Sequence, residues 1–262
     1  MVAGAEVDTD LPSVAVPLSP PHPARTSASA TSPAENAERR RSTGRGYRPP
    51  RATVPRVVRR AVVEGTATLA RLAPAFVPYI DAHGPADLRR ARPRRTHFAE
   101  LTRAICFQQL AGAAARTIHG RFEAALDGDV TPEAVLALPV QTLRAAGLSA
   151  NKTASIRDLA LKVVEGEVEL DRVARLSDEE IVRELTLVRG IGRWTAEMFL
   201  MFQLGRLDVW PTGDLGVRKG FAVIDGRPAP PTPPELEALG DPLRPYRSLA
   251  AWYCWRAADT QL

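Results

Sequence analysis

The sequence predicts an all-α protein, and three observations lead there. Apolar residues recur at three- and four-residue spacing from Gly65 onward. Several of the segments so defined open on a Ser or Thr cap. The only strand-like runs, residues 163–170 (VVEGEVEL) and 206–210 (RLDVW), have no hairpin partner. The expectation is roughly nine or ten helices joined by short loops and packed helix on helix.

The elements follow in chain order. Residues 66–84 carry apolar positions at helical spacing, interrupted by Pro74 and Pro78. Residues 97–110 (HFAELTRAICFQQL) form a cleaner helix, with Phe98, Leu101, Ile105 and Cys106 on one face, and residues 113–126 form another. Residues 131–138 begin with Thr131 as N-cap, Pro132 at the first helical position and Glu133 just inside. Ser149 caps a long helix over 149–166. Ser177 caps one over 177–188 with three acids in its first turn, where the helix dipole favours negative charge. Then come a Gly-Ile-Gly turn, a helix over 195–205, the loop DVWPTGDLG (208–216), a short helix, a Pro-rich loop and a last helix over 247–258.

Composition bounds the chemistry. The 262 residues are 45% hydrophobic, enough for a real core, and no apolar run approaches the ~18 residues of a membrane span. The N-terminus lacks a basic-then-apolar signal pattern, so a cytoplasmic protein is expected, nucleoid-associated if bacterial. Cys106 and Cys254 stand far apart, and His22, His83, His97 and His119 form no ligand-spaced set. Neither a disulfide framework nor a zinc or iron–sulfur site is expected.

The net charge of +5 is unevenly placed. Residues 1–60 hold ten of the 35 basic residues and five of the 30 acidic ones, leaving 25 of each beyond. The folded part is therefore neutral, and any affinity for nucleic acid there must come from local placement. Residues 1–55, rich in Pro, Ser, Ala and Arg, read as a disordered tail ahead of a domain over 56–262. The basic stretch from Arg39 to Arg60 is either a solvated tail or a weak, non-specific tether to polyanions.

The segment LTLVRGIGRWTAEMF (185–199) carries the sharpest signal. Glycines allow a tight turn between helices, and amides at the turn and at the start of the next helix point outward together, which suits a phosphate oxygen. Such contacts position a protein on DNA without reading sequence. Taken alone, Gly-Ile-Gly is only a turn; four ordered motifs give it context. The pattern L-x-x-x-x-G-[IV]-G-x-W-T-A over 185–196 resembles the helix-hairpin-helix motif, and it runs on into DVWPTGDLGV (208–217). LTRAICFQQLAGAAARTI (101–118), GLSANKTASIRDLA (147–160) and RPYRSLAAWYCWR (244–256) resemble further segments of the same family. Together they are similar to the helix-hairpin-helix base-excision DNA glycosylases, in the alkylation-repair branch that contains the DNA-3-methyladenine glycosylase II-like enzymes. The resemblance covers about residues 65–258, with the hairpin at about 180–204.

That resemblance implies a two-lobed fold with an active-site cleft between the lobes. It implies a single catalytic carboxylate, Asp214, which the residues alone would read as the N-cap of the following helix. Family position puts Trp194, Met198 and Trp255 in the base pocket, where core packing is the plainer reading of the two indoles. Arg189, Gly190, Ile191, Gly192, Arg193 and Thr195 are implied as DNA contacts. Gln109 or Leu110 would fill the gap left by an extruded base. Carbonyls of Thr186, Val188 and Ile191 would hold a monovalent cation; no other cofactor is expected.

Bifunctional relatives of the family carry a lysine where this chain has Trp194. Its three lysines, Lys152, Lys162 and Lys219, lie elsewhere. The amine nucleophile of strand cleavage is missing from the implied place. The expected activity is monofunctional removal of alkylated purines such as 3-methyladenine and 7-methylguanine from double-stranded DNA by a monomer, leaving an abasic site. No second acid stands out, since nothing distinguishes Asp208 and Asp225, and one anion with aromatic walls suits a base that already carries positive charge. Two rivals stay open: a glycosylase for oxidised or mispaired bases, with or without strand cleavage, and a non-catalytic damage-binding protein. Ala111, where the family has serine, leaves the next helix without a good cap, and Leu243 replaces a common tryptophan.

Overall fold

The computed structural model describes residues 56–88 and 96–259. The tail read over residues 1–55 lies outside the described residues. Those residues contain α-helices, short 3-10 turns, one π-helical segment and no strand. The strand-like runs at 163–170 and 206–210 are a helix end followed by turns, and irregular chain.

The described residues hold twelve α-helices, more than the expected nine or ten. The surplus comes from one- and two-turn pieces. Pro139 separates α5 (Pro132–Ala137) from α6 (Val140–Ala145), because proline lacks the amide that would continue the helix. Pro74 likewise ends α1 (Arg56–Leu72) and opens a 3-10 turn before α2 (Val77–His83).

The predicted caps are in place. Thr131 accepts from the amide of Ala134 at the start of α5, and Ser149 from that of Lys152 at the start of α7 (Ala150–Val164). Ser177 accepts from the amide of Glu180 in α8 (Asp178–Leu185), while the Glu180 carboxylate accepts from the Ser177 amide at 2.7 Å. Thr96 caps α3 (His97–Phe107). Ala111 offers α4 (Gly112–Ala124) no side-chain cap.

The helices sort into two lobes by what they pack against. In one lobe α3 packs on α4 and α7, and α5 and α6 pack on α7. In the other, α12 (Arg247–Asp259) packs on α10 (Leu215–Ile224), α1 and α2. The hairpin of α8 and α9 (Arg193–Met198) leads from the first lobe toward the second, and α9 continues as a π-helical turn over Phe199–Leu204 that touches α3. Phe98, Leu101, Ile105 and Cys106 are all buried, as the spacing of α3 predicts.

Helices α10 and α12 form the most extensive pair. Glycine makes that closeness possible: a Cβ on Gly220 would lie 1.7 Å from the carbonyl oxygen of Cys254. The start of α12 also fixes the loop ahead of α10. The buried Arg247 donates to Asp208 through Nε at 2.9 Å and to the Asp208 carbonyl through Nη2 at 2.9 Å. Ser248 Oγ accepts from the Val209 amide at 2.8 Å, and the Ser248 amide donates to the Leu207 carbonyl. The Arg-Ser pair of the PYRS segment is thus a clamp on residues 207–209.

Candidate active site

That clamp delivers Asp214 to the N-terminus of α10. The residue caps the helix: its Oδ1 accepts from the Val217 amide at 2.9 Å. The same oxygen accepts from Trp255 Nε1 at 3.1 Å, and Oδ2 accepts from Trp194 Nε1 at 2.6 Å. Trp255 comes from α12 and Trp194 from the first turn of α9, so the carboxylate joins the two lobes. An ionised carboxylate has about four acceptor positions. Three are engaged, all by N–H donors, the partner set that suits an acceptor-only group.

The two indoles differ. Trp255 is 5% exposed and stacks on Phe202, with ring centroids 5.9 Å apart. Trp194 is 49% exposed despite its size. A large aromatic held by its N–H with its face in water is a ready surface for a flat ligand. Met198, one turn along α9 from Trp194, is half-buried. Trp210, in the same loop as Asp214, belongs to the core: it is buried and donates to the Leu236 carbonyl.

A second carboxyl group lies near Asp214, contrary to the expectation of a single acid. Glu197, in α9, is 6% exposed. Burial pushes its pKa up to about 7, Arg193 opposes that rise, and the charges of Glu179 and Asp214 add to it. The sequence signal was the helical spacing: Glu197 lies three residues beyond Trp194 and four beyond Arg193, whose Nε it accepts at 3.0 Å. Neither Asp208 nor Asp225 shares this setting. Asp208 serves the Arg247 clamp, and Asp225 ends α10 and pairs with Arg227.

The hairpin turn is built on α7. Gly190 has φ +76°, and a Cβ there would meet Ser155 Oγ at 2.6 Å, so the position requires glycine on both counts. The Arg189 amide donates to Asp158 Oδ2 at 2.7 Å, and its guanidinium to Asn151 Oδ1. Gly190, Gly192 and Arg193 are exposed, whereas Val188, Ile191 and Thr195 are buried. Ile191 and Thr195 are therefore sealed from solvent, and the exposed positions of the turn are Arg189, Gly190, Gly192 and Arg193. Arg193 already pairs with Glu179 at 2.8 Å as well as with Glu197. Gln109 and Leu110 follow the end of α3. Gln109 is exposed with φ +54°, a conformation uncommon outside glycine, and Leu110 is half-buried.

Of the carbonyls implied for a cation, that of Val188 accepts the Ile191 amide at 3.1 Å, which leaves its second lone pair. Thr186 caps the C-terminus of α8, where carbonyls carry the negative end of the dipole. Carbonyl oxygens are the donor type that a hard cation takes.

Residues 102–245 match the model of the HhH-GPD superfamily base excision DNA repair proteins. The chain belongs to that superfamily. It is 36% identical over 172 residues to DNA-3-methyladenine glycosylase 1 of Schizosaccharomyces pombe, covering 64% of this chain and 75% of that one. Among solved structures, the S. pombe 3-methyladenine DNA glycosylase Mag1 in complex with abasic DNA superposes with a TM-score of 0.66 at 32% identity, covering 75% of this chain and 97% of that one. A DNA-3-methyladenine glycosidase from Bacillus halodurans gives 0.67 at 32% identity, covering 75% and 89%.

Proposed function

We propose that the protein is a monofunctional DNA glycosylase that excises alkylated purines, among them 3-methyladenine and 7-methylguanine, from duplex DNA. The observation that carries this reading is Asp214, held between the exposed Trp194 and the buried Trp255. The named activity of the S. pombe relative and the abasic DNA bound to Mag1 support it.

Breaking the bond between sugar and base builds an oxocarbenium-like cation on the sugar. Asp214 supplies a fixed anion for that charge, positioned before the reaction by three N–H donors. Purines alkylated at N3 or N7 carry positive charge, so they leave without first gaining a proton. The exposed face of Trp194 attracts such a ring and stacks on it once it has left the duplex. Trp255, buried against Phe202, steadies the carboxylate through its N–H, and Met198 follows one turn along α9 as a further wall of the pocket. Water takes the place of the base, leaving an abasic site.

The position of Trp194 also bears on strand cleavage. Its indole nitrogen carries no basic lone pair, so it cannot form a Schiff base with the opened sugar. Exposed amides about Gly190 and Gly192 grip the DNA backbone, and Gln109 or Leu110 fills the gap in the duplex. Carbonyls of Thr186, Val188 and Ile191 would hold a monovalent cation, which would lend positive charge to that backbone contact. The test is release of free base from methylated DNA, with products identified by chromatography: methylated purines are expected, and oxidised bases alone would overturn the reading.

A further inference from the structure

The turn that ends α3 and the hairpin turn lie about eighty residues apart in sequence, yet side chains bind them together. Lys152 Nζ donates to the Cys106 carbonyl at 2.8 Å and to the Gln108 carbonyl at 2.7 Å. Gln108 Nε2 in turn donates to the Gly190 carbonyl at 3.0 Å. Gln108 is thus held through its backbone by α7 and through its side chain by the hairpin. Between those two holds and Leu110 sits Gln109 in its left-handed conformation, which is unfavourable for a non-glycine residue and persists only where its surroundings enforce it.

One helix organises both turns. Asn151, Ser155 and Asp158 of α7 sit at helical spacing and meet Arg189 and Gly190, while Lys152 reaches the other way to the end of α3. An ammonium group is well suited to that place, because the last carbonyls of a helix lack partners within it and carry partial negative charge.

We propose that Lys152 and Gln108 are positioning residues for base extrusion, forming a bracket that fixes the Gln109 turn relative to the hairpin's grip on the backbone. The inference rests on the glycosylase reading. It adds that gap filling and backbone grip act as one unit: the hairpin sets where the DNA lies, and the bracket sets how far the Gln109 turn reaches into it. Loosening the bracket slows extrusion of a firmly paired base and spares one that is already loose.

Lys152→Met and Gln108→Ala test this, the second changing no charge. Single-turnover release of 7-methylguanine is measured in two duplexes, with the base opposite cytosine and opposite a mismatched adenine. Each variant is expected to slow release opposite cytosine by about tenfold or more, and release opposite adenine by less than about threefold. Equal slowing on both duplexes, or no slowing in either variant, overturns the inference while leaving the glycosylase reading intact. Wild-type protein that releases nothing from either duplex overturns that reading, and the bracket with it.

Discussion

The indole N–H of Trp194 lies 2.6 Å from Oδ2 of Asp214, which ties the first turn of α9 to the cap of α10 across the two lobes. A hydrogen bond to a charged group contributes about 1.5–3 kcal/mol. Trp194→Phe keeps an aromatic face but removes the donor. It is expected to lower the single-turnover rate of base release by roughly tenfold to a hundredfold while altering DNA affinity little. Rate and affinity measured on one methylated duplex check this.

Strand cleavage is expected to be absent. Incubation with abasic DNA and borohydride should trap no covalent adduct, because Trp194 occupies the place implied for the nicking lysine. A trapped adduct would show that another amine reaches the sugar.

Gly220→Ala is expected to destabilise the protein by roughly 3 kcal/mol in urea unfolding. The added Cβ would overlap the Cys254 carbonyl, so α10 and α12 must separate. Since α12 also carries Trp255, base release should fall along with stability.

Glu197 makes stability depend on pH. Its pKa rises from 4.5 in the free side chain to about 7 in the folded protein. Its contribution is therefore fully present below about pH 4.5 and is lost as pH rises through 7, on the order of 3 kcal/mol. Thermal unfolding between pH 5 and 8 should show a falling midpoint from this group, and Glu197→Gln should flatten the slope. An identical slope in the variant would contradict this.

The helices were legible where local chemistry decides them. Ser149, Ser177 and Thr131 announce their helices, and Phe98, Leu101, Ile105 and Cys106 announce a core face. Short pieces such as α6 escaped, because one and a half turns carry too little periodicity to register. The setting of the site was less legible. Asp214 could be read as a cap and does cap α10, but its two indole partners come from residues 20 positions before it and 41 after it. Beyond its helical spacing Glu197 carries no mark in the sequence, because burial, which gives it its character, is a tertiary property. Trp194 and Trp210 look alike in sequence, yet one stands half in water and the other is sealed against Leu236.

The most direct test of the central claim is base release from methylated duplex DNA by Asp214→Asn beside the wild type. Asparagine retains an oxygen able to cap α10, so the fold is expected to survive while the fixed anion is lost. The wild type should release methylated purines, and the variant should do so at least ~100-fold more slowly with DNA binding retained. Unchanged release by a folded Asp214→Asn variant would contradict the account.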